Sequence, residues 1–485
     1  MVGPESSPSS GFPRDPRLEP DESGPGSAIE TPSVWRAIAA ILLGGGIGIG
    51  FVGASSSLDR WIVGLFAVVL VIGLAPILIG SRRPLVTLAA DEPPGGDALP
   101  TILVLVAGRN EATVLPNLIG DLAAQDHRSS DGTARFAVVI VDDRSTDGTG
   151  EAIAASAAKH GIGDLVTILR REEAGSADGK GAALASAKPE DADADVIAVL
   201  DADARIGPTY LRTAARYVAA GVPALTARRR TLHADQSILA MLQADEQTQD
   251  GELQRGRWAS GGCSEFRGNG IVIRRDLLAA VGGIPAASLT EDLDLSTHLA
   301  VERGVTVGWA LDLEAWEAAV PTWRGLWRQR LRWSEGAIRR FLAYTPAVLG
   351  SARLNFRARW DFAAYGAQLA APSLILGAIG GAVAFRNPAF PLGLIGSYLV
   401  AGGVLAFDAL RWESDRSGAP LRTVDRVVRS ASVALFSLGW LLAVNGALWR
   451  LAVRRGTVRF DKTARAVTAE PAGSEAVVTR ESSVR

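Results

Sequence analysis

The run Val196-Ile197-Ala198-Val199-Leu200 leads straight into Asp201-Ala202-Asp203. Two carboxylates one residue apart repel each other unless a cation sits between them. A hard divalent ion that also holds a nucleotide diphosphate suits such a pair. The same three residues also fit a strand-end turn with solvated acids, so the decision rests with the other polar positions of the chain.

Several other groups could act with this pair. Asp142-Asp143 ends another apolar run, and a strand-end carboxylate such as Asp143 can accept a ring N–H from a nucleobase. Gly179-Lys180-Gly181 opens a helix, where glycines let backbone approach a ligand and Lys180 suits a diphosphate. Taken singly these are ordinary: Ser145-Thr146-Asp147-Gly148 is also a turn and helix cap, and a lone lysine is commonly solvated. Thr290-Glu291-Asp292 either starts a helix or presents Asp292 as a general base for a hydroxyl nucleophile. Gly268-Asn269-Gly270 reads as backbone lying close to something bulky, or as a plain turn. Cys263 is as readily a small packing residue as a reactive one.

The elements that must position these groups follow a β-α-β rhythm. Strands are expected at 102–107, 136–141, 165–169 and 196–200, with helices at 113–124, 151–160 and 182–187. The apolar run before Asp201 reads as a strand buried on both faces, as in a parallel sheet with helices on either side. Functional groups of such sheets collect past the carboxyl ends of the strands. Convergence of three strand ends on one edge therefore raises the case for a site. A short apolar run at 271–275 and helices at 276–281 and 290–303 follow.

Residues 1–33 are rich in Pro, Ser, Gly and Glu and are expected to be a disordered tail. Two apolar segments within 34–80 are each near the ~20 residues that cross a bilayer. Arg82-Arg83 after the second points to a cytoplasmic side there. Residues 91–97 read as a linker and 98–320 as the main domain. Over 321–345, Trp323, Leu326, Trp327, Leu331, Ile338, Phe341 and Leu342 share one helical face, with Gln329, Arg332, Trp333 and Gly336 roughly opposite. Six arginines between Arg324 and Arg340 suggest an amphipathic helix at a membrane interface. Three apolar segments return within 360–450 (362–385, 388–410 and 430–449), and 464–485 looks disordered.

The third of these, 430–449, is followed by basic residues, which argues against a simple crossing. It also carries Gly439, Asn445 and Gly446, which suit a re-entrant helix packed on protein. The C-terminus is therefore expected on the cytoplasmic side. A formal net charge of -2 argues against a nucleic-acid partner. One cysteine and four scattered histidines leave no disulfide framework and no Cys/His zinc cluster.

With these residues placed, the chain resembles the membrane-bound inverting glycosyltransferases of family 2, a group that includes cellulose and hyaluronan synthases. Asp142-Asp143, Asp201-Ala202-Asp203, Thr290-Glu291-Asp292 and Gln329-Arg330-Leu331-Arg332-Trp333 (a Q-x-x-R-W motif) occur in the family's order. The resemblance implies an α/β fold: a GT-A, Rossmann-like nucleotide-sugar-binding domain inserted between transmembrane helices. It implies that Asp143 contacts the uracil of a UDP-sugar and Lys180 its diphosphate. Asp203, with Asp201, would bind Mg²⁺ or Mn²⁺, and Asp292 would be the base. Gln329, Arg332 and Trp333 would hold the diphosphate and line the acceptor site. Arg144 departs from the family, where many relatives have Gly, and leaves the local backbone path open.

Phe266-Arg267-Gly268-Asn269-Gly270 and the sequence around Q-x-x-R-W look most like bacterial lipid glucosyltransferases, similar to β-monoglucosyldiacylglycerol synthases. The expectation is a multi-pass plasma-membrane hexosyltransferase with its catalytic domain in the cytoplasm. It would move a sugar, glucose by the resemblance, from a UDP-sugar to a lipid hydroxyl such as that of diacylglycerol. A processive synthase that extends a growing β-linked glycan also fits Q-x-x-R-W. A non-catalytic nucleotide-sugar sensor is the reading from another class, although mere binding requires no base.

Overall fold

The computed structural model describes residues 31–83, 98–172, 179–415 and 417–453. Most of the expected tails, and the linker at 91–97, lie outside these residues. In chain order the elements are α1 (Ser33–Ser55), α2 (Asp59–Ser81), β1 (Ile102–Gly108), α3 (Leu115–Ala123), β2 (Phe136–Asp143) and α4 (Thr149–Lys159). There follow β3 (Val166–Arg171), α5 (Lys180–Ser186), β4 (Val196–Asp201), β5 (Arg205–Ile206), α6 (Tyr210–Ala219), β6 (Ala224–Leu232) and α7 (Ile238–Ala259). The domain closes with β7 (Ile271–Arg274), α8 (Arg275–Ala280), α9 (Glu291–His298) and β8 (Gly308–Ala318). Beyond it come α10 (Trp323–Gly350), α11 (Phe356–Ala367), α12 (Ala371–Phe385), α13 (Ala389–Ala409), α14 (Thr423–Phe436) and α15 (Leu438–Val453).

The eight strands form one sheet in the order β3-β2-β1-β4-β7-β6-β8-β5. Apolar residues alternate between two buried layers, as the two-residue period of a strand requires. Val104, Val106, Val196, Ala198 and Leu200 enter one core, and Leu103, Leu105, Ile197 and Val199 the other. Burial of each Val, Leu or Ile among them contributes roughly 1.5–3 kcal/mol. The expectation of a parallel sheet holds from β3 to β4 and again between β6 and β8, whereas β5 pairs antiparallel with β8, and β7 with both β6 and β4. Gly270 turns the chain there at φ 77°, donating its N–H to Val199 while its carbonyl accepts from Ala227. A methyl at Gly270 would lie 2.4 Å from the Ala227 Cβ. What lies close to the Gly270 backbone is therefore the protein's own sheet.

Among the described residues, five helical stretches are long and apolar enough to cross a membrane: 33–55, 59–81, 356–385, 389–412 and 423–453. Helices α1 and α12 touch backbone to backbone: a methyl at Gly377 would lie 2.0 Å from the Ile47 carbonyl oxygen. Small residues permit this approach in apolar helix pairs. Helix α7, unplaced by the sequence reading, joins the apolar helices to the sheet by packing on α2, α13, α14 and β6. A methyl at its Gly256 would lie 2.5 Å from the Ile77 carbonyl oxygen of α2.

Helix α10 runs to Gly350, past the expected end at 345. The stretch 423–453 is two helices meeting at Ser437. Helix α14 runs antiparallel to α13, with Arg426 on the Phe407 carbonyl at one end and Tyr398 donating to the Ser437 carbonyl at the other. Helix α15 then packs along α10 and α1, where Leu448 and Leu451 cluster with Ala39, Leu331 and Ile338. Ahead of α1, Thr31 is buried and accepts a 2.6 Å hydrogen bond from Arg339, so the last residues of the expected tail are ordered.

Candidate active site

Parallel pairing places Asp142 opposite Gly108 and Asp201 opposite Ala107, so the ends of β2, β1 and β4 lie in one row. Ala202 continues the inner layer of one core and is buried, while Asp201 and Asp203 stay partly accessible. The alternation of the strand thus turns the Asp201 carboxylate to the face that also carries α5 and α9, and Asp203 follows in the turn after β4. There the Lys180 Nζ lies 2.5 Å from Asp201 Oδ1, 3.1 Å from the Gly268 carbonyl and 3.4 Å from Glu291. Burial disfavours the Lys180 charge, but Asp201 and Glu291 outweigh it and hold the ammonium above its ordinary range. The lysine expected on a diphosphate therefore rests on the carboxylate beside it.

Asp143 differs similarly from the expectation of an open acceptor. Arg144 donates to both its oxygens, at 2.9 and 3.2 Å, and Arg171 adds a third bond at 2.8 Å. Arg144 achieves this at φ 61°, a left-handed backbone that glycine adopts without strain.

Asp201 and Asp203 offer only hard oxygen donors, and no group of three or more potential protein ligands occurs among the described residues. This donor set fits an ion of the Mg²⁺ type, which binds one or two carboxylates and takes its other oxygens from phosphates and water.

Asp292 lies in the first turn of α9, partly accessible, beside the Gly268 backbone. Burial, then the neighbouring charge of Glu291, raises its carboxyl to about 6, with Lys180 opposing. Asp294 is raised to about 7, chiefly by burial. Asn269 is held by its own contact, its Oδ1 accepting from the Asp201 N–H at 3.2 Å.

Gln329, Arg332 and Trp333 are partly accessible on α10. Their neighbours correct the picture of interfacial arginines. Arg330 pairs with Glu246 at 2.7 Å, Arg339 with Glu335 at 3.1 Å and Arg340 with Glu265 at 2.8 Å, all three arginines being buried. Buried guanidinium groups require such partners. Trp323 and Trp327 do remain exposed. Glu265 also meets Arg257 and Arg267, and against the cost of burial Arg340 and Arg257 hold it at about 2.

The sequence reading missed Glu246, Arg229 and Trp440. Arg229 pairs with Glu317 and lies 5.5 Å from the Trp333 ring, and Trp440 stacks on Trp333. The run Arg228-Arg229-Arg230 inside a strand was the available signal, since adjacent charges in a covered sheet must find partners.

Asp143, Lys180, Asp201, Asp203, Asp292, Gln329, Arg332 and Trp333 all line one cavity of about 1490 Å³. The same cavity continues between apolar helices, past Ile49 of α1, Leu65, Val69 and Leu74 of α2, Leu374 of α12 and Leu405 of α13. A polar site suited to a charged ligand thus opens into a space suited to hydrocarbon.

Residues 100–336 match the family described as glycosyltransferase like family 2. A β-monoglucosyldiacylglycerol synthase of Nostoc sp. is 28% identical over 385 residues, covering 77% of this chain and 78% of its own. A poly-β-1,6-N-acetyl-D-glucosamine synthase of Staphylococcus aureus is more distant: 24% identical over 244 residues, 50% of this chain and 55% of its own. Among solved structures, a mannosyltransferase of Pyrobaculum calidifontis in complex with GDP-Man and Mn²⁺ aligns over 83% of this chain and 98% of its own. That alignment has a TM-score of 0.47 and 20% identity.

Proposed function

We propose that the chain is a family 2 glycosyltransferase, as its match over residues 100–336 supports, and that it transfers glucose from UDP-glucose to the hydroxyl of diacylglycerol in a membrane. The observation that carries this reading is the single cavity running from the paired carboxylates to the apolar faces of α1, α2, α12 and α13. The named activity of the Nostoc relative supports the choice of sugar and acceptor.

In this reading the lipid hydroxyl attacks the anomeric carbon while the bond from that carbon to the diphosphate oxygen breaks, inverting the configuration. Asp292 takes the hydroxyl proton, and a carboxyl raised to about 6 is matched to that task near neutral pH. Lys180 and Arg332 bring positive charge to the departing diphosphate, and Asp143 faces the base of the nucleotide. Asp203 with Asp201 would hold Mg²⁺ or Mn²⁺, whose chemistry there is electrostatic stabilisation of the leaving UDP. Gln329 and Trp333 line the acceptor side.

The catalytic domain faces the cytoplasm of a multi-pass plasma-membrane protein. Helix α15 returns toward the start of α1, so the C-terminus lies on that same side. The Asn445–Ser373 hydrogen bond (2.9 Å) and the packing of Leu448 and Leu451 on Ala39 support this path.

The test is incubation of the full-length protein in lipid vesicles with a panel of UDP-sugars and lipid acceptors, read by mass spectrometry. A monoglucosylated diacylglycerol is the expected product. A ladder of glycan lengths, or UDP-sugar binding without turnover, would replace the reading.

A further inference from the structure

The Q-x-x-R-W motif is held in part from outside the family-matched residues. Trp440, on α15, stacks on Trp333 with ring centroids 6.3 Å apart and planes inclined by only 13°. The Trp440 Nε1–H donates to Glu246 Oε1 at 2.6 Å. The same Glu246 carboxylate takes both bonds from Arg330, at 2.7 and 2.8 Å. Arg330 in turn lies 5.0 Å from the Trp440 ring and donates at 3.3 Å to the carbonyl of Phe436, at the hinge between α14 and α15. A methyl at Gly439 would lie 2.4 Å from Arg330 Nη1, so the hinge backbone is seated directly on the motif helix.

Three independent elements, α7, α10 and α15, therefore meet in one hydrogen-bonded and stacked cluster. Trp440, Glu246 and Trp333 line the cavity together with Tyr398, Ser437 and Leu441 of the apolar helices. The donor-side groups Lys180, Asp143 and Asp201 lie on α5, β2 and β4, outside these three elements.

We propose that Trp440 and Glu246 are positioning residues for the acceptor: through Trp333 they fix where the lipid hydroxyl presents itself, and the C-terminal hairpin thereby sets acceptor selectivity while the donor is bound elsewhere. The parallel indoles give Trp333 one orientation, and the Glu246 carboxylate fixes Trp440 by its single N–H. A truncated or rotated Trp440 leaves Trp333 free to turn, and an acceptor placed even slightly wrongly loses rate. This proposal rests on the lipid-acceptor reading, and its experiment separates the two.

The experiment uses full-length wild type, Trp440→Ala, Trp440→Phe and Glu246→Gln in phosphatidylcholine vesicles containing diacylglycerol. It measures KM for diacylglycerol, KM for UDP-glucose, and binding of UDP by calorimetry. Loss of the stack and its charged hydrogen bond should raise the acceptor KM of Trp440→Ala about tenfold, with donor KM and UDP binding within about twofold of wild type. Trp440→Phe keeps a ring against Trp333 but not the N–H, so its acceptor KM should fall between the two. Glu246→Gln should resemble it.

An unchanged acceptor KM in Trp440→Ala, or donor and acceptor constants rising together in all three variants, would overturn the proposal. Should Trp440→Ala fail to bind UDP, Trp440→Phe and Glu246→Gln decide it by the same split. If wild type glucosylates no diacylglycerol, the function reading fails instead, and the split is read with whichever acceptor the wild type uses.

Discussion

Gly336 of α10 packs so closely against Thr290 that a methyl group there would sit 2.4 Å from the Thr290 Cγ2 and 2.8 Å from its Oγ1. Thr290 is the residue before α9, two positions from Asp292, and is itself buried. The motif helix and the loop carrying the proposed base are therefore in direct contact through a residue without a side chain.

Gly336→Ala should displace that loop, because Thr290 is β-branched and cannot swing aside. Overpacking of this kind costs about 1–3 kcal/mol of stability. Turnover should fall by more than the loss of stability accounts for, since Asp292 moves with the loop. Thermal unfolding and turnover measured on the same preparation check this. Wild-type turnover in a Gly336→Ala protein would show that the contact does not govern the base.

Asp292→Asn should lower turnover by roughly 10²–10⁴-fold while UDP binding stays near the wild-type value. The wild-type rate should also rise with pH through about 6 and level off above it, because the carboxylate form accepts the proton and is lost below that value. A pH–rate profile flat between 5 and 7 (the range about that value) would remove Asp292 from the role.

Activity should depend on a divalent cation, vanish with EDTA and return with Mg²⁺ or Mn²⁺. Asp203→Ala should lose the metal response together with affinity for the UDP-sugar, because the diphosphate would then face the remaining carboxylate without a bridging cation. Undiminished turnover in EDTA by protein shown to be metal-free would end this assignment.

A reporter fused after the C-terminus should be active only when it is of a kind that works in the cytoplasm. The helix break at Ser437 and the return of α15 along α10 underlie this expectation. Activity of a periplasmic or exterior reporter at that position would mean that 423–453 crosses the membrane fully.

What the sequence determined by itself was local: periods, spacings and termini. A two-residue alternation fixed which side of β4 carries Asp201, and runs of about twenty apolar residues marked the membrane helices. The order of the short acidic motifs and Q-x-x-R-W was equally legible, because each lies within a few consecutive residues.

Tertiary structure decided everything that depends on a partner distant in the chain. Arg330 looked like an interfacial arginine until Glu246, 84 positions earlier, was beside it. Helix α7 carries no strong apolar stripe, since its buried face is built of charged and amide side chains paired with other elements. Lys180 was placed at a helix start by its glycines, but its rest on Asp201 follows from the folding of α5 against the neighbouring strands β1 and β2. Trp440 lay in an apolar segment with no motif, and only the turn at Ser437 brings it onto Trp333. Periodicity tells which face a residue occupies. The charge or ring that meets that face comes from another part of the chain, and the energy of a buried ion pair or a stack exists only once both halves are in place.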